Sequence, residues 1–591
     1  MSSRDGPNAR PLPSPTPPRP RWFRARAKMR HGRPGRCGHY TRSDEERRSR
    51  RLQVQDSDSR SSGMPSPSRA ISRSQQSAPL LRLLVFVGGF ASIGVELTMS
   101  RLIAPYFGSS TFIWASLIGL TLTFLALGYY LGGRAADRWP HASLLYMVMA
   151  IAAIAVAAIP LAARPLLLSS LEAFSALDAS AFYGTLAGTL LLLAVPVTLL
   201  GFASPFAIRL RLVDVDSAGN TAGSLYALST LGSIAGSFLP VLLLIPWLGA
   251  RATLVTLSLL LLLPALAGLL ILRSRTAAAT LTVFAIAVSA ITLASGSGIR
   301  PADRGTLLHE EESAYNYIQV VDENGSHELI LNEGRAVHSI YHPDHLLTGG
   351  PWDYFMAAPL LVADNADPAP ENALIIGLAG GTTARQLTAA FGPISITGVE
   401  IDPSIVQVAR NYFGLDDLAN LTVDVEDGRY ALRTSPETYD LIGIDAYRQP
   451  YIPFQLTTRE FFQDVQSHLN PGGVAVVNAG RTQTDYRLVD ALAATLRDVF
   501  PHVLAIDVGR YNNTMLFASD SPLSTKALAE NVNALPADSP VREVSQWITE
   551  SGNAREIDPG GMVFTDDHAP VELVIDTMIL DAAREITGGA P

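Results

Sequence analysis

Residues 372–400 read NALIIGLAGGTTARQLTAAFGPISITGVE and indicate most clearly how the second half of the chain folds. An apolar run enters a glycine-rich turn, a helical pattern follows, and a second apolar run ends in an acid. Continuous apolar strands that alternate with helices are typical of a parallel sheet covered by helices on both faces. Because the alternation continues to residue 519, we predict a doubly wound α/β domain over residues 361–591.

The segment before this domain has a different pattern. Residues 313–342, SAYNYIQVVDENGSHELILNEGRAVHSIYH, contain three short alternating runs separated by two turn signals that include Asn and Gly. This pattern predicts a small antiparallel β-sheet over residues 304–360.

The first half of the chain is strongly apolar between residues 80 and 298. The whole chain is 48% hydrophobic but only 17% charged, against about 25% charged residues in soluble domains. Seven runs are long enough to cross a hydrocarbon layer of about 30 Å as helices, so we predict an α-helical membrane bundle. The predicted spans are 82–104, 111–133, 142–163, 182–208, 221–247, 252–272 and 277–297.

Residues 1–79 form a basic tail. They hold 18 Arg and Lys against 6 Asp and Glu, so the tail carries +12 and the rest of the chain −21. The tail is rich in Arg, Ser and Pro without apolar periodicity, which predicts disorder. Such a tail is typical of a membrane-surface contact or an orientation signal. Nucleic acid is not an expected partner, because aromatic residues are scarce in the tail.

Scarce residue types exclude several chemistries. Cys37 is the only cysteine, which excludes a disulfide framework and a thiolate metal cluster. Lys28 and Lys526 are the only lysines, so Schiff-base chemistry and a phosphate-loop lysine have almost no candidate. Residues 566–568, Asp-Asp-His, are more typical of a structural turn than of a metal site, because three consecutive side chains cannot all face one ion. No metal is expected.

The candidate site lies at the carboxyl ends of the predicted strands, where doubly wound sheets bind ligands. Gly377, Gly380 and Gly381 allow a tight turn and a close approach of the backbone to a ligand. Glu400 ends the second strand, 23 positions after Gly377, where a carboxylate accepts hydrogen bonds from two ribose hydroxyls. Together these residues predict nucleoside binding, although the glycine turn alone is equally typical of an ordinary strand-to-helix connection.

Further acids follow the third and fourth strands. Asp427 and Gly428 follow the third, where the carboxylate either accepts from an adenine amino group or caps the next helix. Asp445 ends the fourth strand, where it either deprotonates an amine acceptor or caps a loop. Tyr447 and Tyr451 either form a wall of the acceptor pocket or contribute packing.

The ligand that these residues predict is poor in phosphate, because this half shows no second glycine-rich loop and no basic cluster. S-adenosylmethionine or a relative has this chemistry. Its sulfonium transfers a group directly to a nucleophile, so the protein must supply proximity and a base.

Five motifs in this half carry a family resemblance: GVEID at 398–402, VEDGRYAL at 425–432, YDLIGIDAY at 439–447, LTTREFF at 456–462 and LNPGGV at 469–474. They resemble the spermidine synthase family of polyamine aminopropyltransferases, in particular its membrane-fused bacterial branch. The resemblance implies a seven-stranded, methyltransferase-like Rossmann-type sheet. It also implies decarboxylated S-adenosylmethionine as co-substrate and a polyamine as acceptor. In that family pattern Glu400 binds ribose, Asp427 lies near adenine, and Asp445 is the catalytic acid or base.

Three positions depart from the family pattern. Gly380 stands where the family has an aspartate that holds the donor's amine, and Asn316 stands where it has a glutamine. Arg448 replaces a second acid, and a like charge at 4 Å repels an ammonium by about 4 kcal/mol at an effective dielectric of 20. The resemblance therefore implies donor binding more firmly than putrescine binding. Tyr447 and Asn316 are the predicted substrate contacts.

Arginines after the second, fourth and sixth runs, with the basic tail, place the N-terminus in the cytoplasm of an inner-membrane, multi-pass protein. Seven spans would then place the soluble half outside, whereas a cytosolic nucleoside donor requires it inside. We expect a cytoplasmic catalytic domain and a miscounted span, in which 182–211 is broken or 165–181 re-enters the membrane.

We predict a membrane-anchored aminopropyltransferase of this family. Its candidate partners are an amine substrate, membrane lipids and a second copy of the chain. Two alternatives stay open. One is a transferase that uses intact S-adenosylmethionine with a different acceptor. The other is a transporter or sensor whose soluble half binds a nucleoside without catalysis.

Overall fold

The computed structural model describes most of the chain after the basic tail. Cys37, Lys28 and Arg448 lie outside the described residues, as does nearly all of the tail predicted over residues 1–79. The described residues are 78–107, 111–176, 181–212, 215–295, 300–332, 336–363, 368–447, 451–550, 553–555, 557 and 561–586.

Long apolar helices make up the described chain up to residue 295. A short π-helical turn, Pro240–Leu244, joins the sixth of them to the seventh. The helices are α1 Ala78–Phe107, α2 Thr111–Arg138, α3 Ala142–Ala176, α4 Ala181–Leu200, α5 Ala203–Arg211, α6 Ala218–Leu239, α7 Ile245–Ile271 and α8 Arg275–Ala294.

Six stretches of these helices are long and apolar enough to cross a membrane. The fifth, Ala218–Ile271, has 54 residues, which is about 80 Å of helix and more than twice the thickness of a hydrocarbon layer. It breaks at Gly249, where φ is 74° and ψ is 168°, a backbone conformation that favours glycine. The break divides this stretch in two, so the described part of residues 78–294 contains seven helical segments when α4 and α5 are counted as one.

The two irregularities expected in these helices have different outcomes. The expected break within 182–211 is present, because a turn at Gly201 separates α4 from α5. In the segment 165–181, which is expected to re-enter the membrane, α3 continues as one helix through Pro165 to Ala176, and residues 177–180 lie outside the described residues. The chain therefore passes from one end of the bundle to the other along α3.

Packing defines two ends of this bundle. Residues near the start of α1 and near the ends of α2, α5 and α7 share one hydrophobic cluster, which marks the first end. Residues near the end of α1 and near the starts of α2 and α7 share another, which marks the second end. The first cluster includes Leu81, Ala136, Phe206 and Leu269. The second includes Leu102, Ile113, Leu167 and Leu254.

The soluble half contacts the second end of the bundle. The guanidinium of Arg300 donates to the carbonyl oxygen of Pro105 in α1 at 2.9 Å. The backbone N–H of Ala250 in α7 faces a carboxylate oxygen of Glu312 at 3.4 Å. The start of α1 and the soluble half therefore lie at opposite ends of the helices.

A four-stranded antiparallel sheet with the order β1-β2-β3-β4 follows the helices. It contains the three predicted runs and one additional strand. The additional strand, TLLHEEE, lacks the apolar alternation that identifies strands in a sequence. The strands are β1 Thr306–Glu312, β2 Tyr317–Glu323, β3 Ser326–Leu331 and β4 Val337–Tyr341.

The main sheet has the order β12-β10-β11-β9-β8-β5-β6-β7. Six strands, β5 to β10, run parallel, as predicted, but β11 lies antiparallel between β9 and β10. Five residues join β10 to β11, which is too short for a parallel crossover. The two-residue β12 adds an edge to the seven expected strands. The strands are β5 Asn372–Ile376, β6 Ser395–Val399, β7 Leu421–Asp424, β8 Tyr439–Ile444, β9 Leu469–Gly480, β10 His502–Asp507, β11 Asn513–Ser519 and β12 Ala554–Arg555.

Helices cover both faces of this sheet. In β5, Ile375 packs into the hydrophobic cluster on one face, and Leu374 and Ile376 pack into the cluster on the other. This burial on both faces explains why the strand reads as a continuous apolar run. The helices are α9 Pro351–Tyr354, α10 Thr382–Phe391, α11 Pro403–Tyr412, α12 Gly428–Thr434, α13 Arg459–Ser467, α14 Arg487–Arg497, α15 Thr525–Asn531, α16 Val541–Glu550 and α17 Val571–Ile586.

Candidate active site

A cavity of about 700 Å³ lies at the carboxyl ends of β5, β6 and β8. The strand order reverses here, because β6 and β7 lie on one side of β5 and β8 and β9 on the other. The walls bring together most of the residues that the sequence indicated. Those that line the cavity are Asn316, Gly377, Glu400, Asp427, Gly428, Asp445, Tyr447 and Tyr451.

The glycine turn after β5 contributes to the cavity mainly through Gly377. Its φ is +92°, and a Cβ there would lie 2.5 Å from the carbonyl oxygen of Asp445, so the backbones approach closely only with glycine. Gly380 and Gly381 are not among the cavity-lining residues. The N–H of Gly380 donates to Ser339 Oγ at 2.8 Å, and Gly381 is the N-cap of α10 with φ 83°.

Glu400 follows β6 and is 7% exposed. One carboxylate oxygen accepts the N–H of Ala379 at 3.0 Å and the other accepts the N–H of Asp402 at 3.1 Å. Burial raises the pKa of Glu400 to about 7, although the two hydrogen bonds by themselves lower it. Because each carboxylate oxygen can accept a further bond, the oriented group can still bind two ribose hydroxyls.

Asp427 caps a helix, as one of its two interpretations predicts, and it also lines the cavity. Its Oδ1 caps α12 by accepting the N–H groups of Arg429 and Tyr430, both at 3.0 Å. The same residue lines the cavity together with Gly428, the first residue of the helix. The cap orients the carboxylate, and a carboxylate has enough lone pairs to hold a ligand as well.

Asp445 lies just beyond β8, in the cavity wall. Its Oδ1 accepts the side-chain amide of Asn478 at 2.8 Å, and the indole of Trp352 donates to the same carboxyl. Burial raises the pKa of Asp445 to about 7. An acid that is held by two neutral donors and titrates near neutrality has the properties of a general base.

Sequence reasoning missed the two residues that hold Asp445. Asn478 lies near the carboxyl end of β9, so the rule that singled out the other strand ends also applies to it. The side chain of Asn513 in turn donates to Asn478 Oδ1 at 2.8 Å, which orients the amide. Trp352 lies in α9, which follows β4 and precedes β5 in the chain. No sequence pattern connects it with β8.

The predicted acceptor residues have structural partners as well as cavity contacts. The hydroxyl of Tyr447 donates to the carbonyl oxygen of Asn478 at 3.0 Å, and burial raises the pKa of this tyrosine. Tyr451 donates to Asp576 at 2.5 Å. The amide of Asn316 donates to Asp402 at 3.0 Å and accepts from Asn332 at 3.0 Å.

The acidic turn at residues 566–568 pairs with arginine. Asp566 accepts hydrogen bonds from the two terminal guanidinium nitrogens of Arg429, at 2.7 and 2.8 Å. It also accepts one from the hydroxyl of Thr458 at 2.7 Å. These bonds join the turn to α12 and to the N-cap of α13. The turn therefore supports the helix that Asp427 caps.

Known proteins resemble this half of the chain. The sequence profile of the spermine/spermidine synthase domain matches residues 360–521. A probable polyamine aminopropyl transferase of Bifidobacterium longum is 36% identical over 323 residues, which cover 51% of this chain and 71% of that protein. A polyamine aminopropyltransferase of Vibrio vulnificus is 30% identical over 243 residues, which cover 39% of this chain and 78% of that protein.

Among solved structures, a probable spermidine synthase from Corynebacterium glutamicum has 21% sequence identity and a TM-score of 0.34. The matched region covers 44% of this chain and 97% of the Corynebacterium glutamicum protein. The matched domain, residues 360–521, includes β5 to β11 and the three acids Glu400, Asp427 and Asp445. With its sequence identity to the two relatives over more than two thirds of their length, the chain belongs to the spermidine synthase family of polyamine aminopropyltransferases.

Proposed function

We propose that the protein transfers an aminopropyl group from decarboxylated S-adenosylmethionine to an amine of the polyamine class. The position of Asp445 carries this proposal, because its carboxyl lines the same cavity as Glu400 and Asp427. The amine nitrogen attacks the propyl carbon bonded to sulfur. A C–N bond forms as the C–S bond breaks, methylthioadenosine leaves, and Asp445 accepts the proton from the amine.

The other carboxylates hold the donor in this scheme. Glu400 accepts the ribose hydroxyls, and Asp427 lies toward the adenine. The sulfonium and the amine bring positive charge into the cavity, and positive charge lowers the pKa of a nearby carboxyl. Substrate binding therefore favours the ionised forms of Glu400 and Asp445, which are the forms that accept hydrogen bonds and protons.

The test uses the full-length protein, purified in detergent, with a mixture of diamines and polyamines. We expect an aminopropylated amine and methylthioadenosine in equal amounts from decarboxylated S-adenosylmethionine, and no methylated product from S-adenosylmethionine. Methyl transfer from the intact donor would overturn the proposal in favour of another transferase. Nucleoside binding without any product would overturn it in favour of a transporter or sensor.

We also propose that the helices of residues 78–294 span a membrane, with lipids as their partners. Their outward-facing side chains support this, because many large apolar groups are more than half exposed in the bundle. Such a surface is unstable in water and stable in a hydrocarbon layer. Examples are Leu122, Leu191, Val195, Trp247, Leu263, Val283 and Phe284.

We propose further that the catalytic domain lies outside the cytoplasm, on the side opposite the start of α1. A cytosolic donor favours a cytoplasmic domain, but seven helical segments, with α4 and α5 counted as one, separate the start of α1 from the soluble half. The orientation proposed here therefore requires that the donor reach the cavity from outside the cytoplasm. Arginines are more frequent at the first end of the bundle, and arginine-rich ends remain in the cytoplasm. The first end carries Arg82, Arg134, Arg138, Arg209, Arg211, Arg273 and Arg275, and the second Arg101, Arg164, Arg251 and Arg300.

The lysines provide a test of this orientation. The side chain of Lys526 is 85% exposed in the soluble half, and Lys28 lies in the tail. We expect a membrane-impermeant amine reagent to label Lys526 in cells whose inner membrane is intact, and Lys28 only after that membrane is permeabilised. Mass spectrometry of peptides distinguishes the two sites, and Lys526→Arg is the control. Lys526 that stays unlabelled until the inner membrane is permeabilised would refute the orientation and leave the proposed reaction untouched.

A further inference from the structure

The joint between the helical bundle and the soluble half lies beside the cavity. Near the end of α1, the guanidinium of Arg101 donates to the carbonyl oxygen of Ala314. Next to it, Glu312 faces the N–H of Ala250 in α7 at 3.4 Å. Both contacts fall where β1 ends and the connection to β2 begins. The bundle is therefore attached to the segment that joins these two strands.

The charges at this joint depend on each other. Burial raises the pKa of Glu312, while the N–H of Ala250 and the charge of Arg101 act in the opposite direction. A buried carboxylate that loses its positive neighbour is destabilised and tends to rearrange. Removing the charge of Arg101 therefore disturbs Glu312 as well as Ala314.

Residues 313–316, here called the 313–316 turn, are closed by internal hydrogen bonds. The N–H of Ser313 donates to the carbonyl oxygen of Asn316 at 2.8 Å. Ser313 Oγ accepts the N–H of Tyr315 at 3.0 Å and that of Asn316 at 2.8 Å. A turn held in this way moves as one unit, and two of its residues, Tyr315 and Asn316, line the cavity.

The 313–316 turn is bonded to the donor site through Asp402. Ser313 Oγ donates to Asp402 Oδ2 at 2.5 Å, and the amide of Asn316 donates to the same oxygen at 3.0 Å. The N–H of Asp402 in turn donates to Glu400 at 3.1 Å. Asp402 is fully buried, so a shift of the turn is transmitted to Glu400 rather than absorbed by solvent.

We infer that Arg101 is a positioning residue for donor binding: through it, the helical bundle holds the 313–316 turn and, by way of Asp402, the carboxylate of Glu400. The inference rests on the proposed function, in which Glu400 binds the donor's ribose. Arg101 touches neither reactant in that scheme. Its loss should therefore weaken donor binding and leave the chemical step nearly unchanged.

The test is Arg101→Gln in the full-length protein. We expect the KM for the donor to rise about tenfold, the scale of one lost hydrogen bond to a charged group. The kcat at saturating substrates should stay within about twofold. Arg134→Gln is the matched control, because Arg134 lies in α2 at the other end of the bundle. Arg101→Lys keeps the charge but reaches less far, so we expect a smaller rise of about threefold.

Thermal unfolding in detergent establishes that each variant is folded. An unchanged donor KM in folded Arg101→Gln overturns the inference, and if that variant does not fold, an unchanged donor KM in Arg101→Lys overturns it. Calorimetric titration of the wild type with decarboxylated S-adenosylmethionine separates the two proposals. A wild type that does not bind this donor contradicts the proposed function. A wild type and a variant that bind it equally contradict only the role of Arg101.

Discussion

Asp445→Asn should lower kcat about 10³-fold, within the range that a general base contributes to an enzymatic rate. Asparagine has the shape of aspartate and can still accept the bond from Asn478 at Oδ1. It cannot take the proton that the attacking amine must lose. Because Asp445 accepts the proton but does not hold the nucleoside, the dissociation constant for the donor should change less than threefold.

Product formation under saturating donor gives kcat, and calorimetry gives the dissociation constant. The control is Asp440→Asn, the same change at the other end of β8, where the carboxylate accepts the N–H of Glu371 and the amide of Asn470. We expect that control to retain kcat within about threefold. An Asp445→Asn enzyme within tenfold of the wild-type kcat would refute the role of this residue.

The same carboxyl sets the expected pH dependence. Burial raises the pKa of Asp445 to about 7, so below pH 7 the free enzyme holds the residue mostly in its protonated form, which cannot accept a proton. We expect kcat/KM to increase with pH through about 7 and then level off. The kcat profile, which reports the substrate complex, should be displaced to lower pH by the positive charge of the donor. A kcat/KM profile that is flat from pH 6 to 8 would contradict this.

Glu400→Gln should raise the dissociation constant of the donor about 100-fold, since hydrogen bonds to a charged group are worth about 1.5–3 kcal/mol each. The wild-type carboxylate also accepts the N–H groups of Ala379 and Asp402. In the variant an amide NH₂ must face one of these donors, which displaces the side chain. At saturating donor, kcat should stay within about tenfold of the wild-type value.

Calorimetry with two ligands tests this explanation. Methylthioadenosine carries the ribose but no sulfonium charge, so a ribose contact predicts similar losses for it and for the donor. A loss confined to the charged donor would show that Glu400 acts through its charge and not through the hydroxyls. The control is Glu437→Gln, which removes an exposed carboxylate from the segment before β8.

Local sequence patterns were sufficient to predict the order of the elements and the acids that line the cavity. Apolar periodicity is local, so it identified the helices of the first half and the strands of the main sheet. The carboxyl ends of parallel strands meet at one edge of a sheet. For this reason Glu400, Asp427 and Asp445 could be assigned to one site before the packing of the helices was known. The helix cap formed by Asp427 could also be predicted, because an acid before a short helix accepts its first N–H groups.

The groups that hold those acids are visible only in the folded protein. Trp352 reaches Asp445 from α9, and Asn478 reaches it from β9, 33 positions along the chain. Arg101 and Ala314 are 213 positions apart. Gly380 and Gly381, indistinguishable from Gly377 in the sequence, do not line the cavity. Such contacts depend on how distant elements pack, and hydrophobic periodicity carries no information about that because it reports only which face of each element is buried.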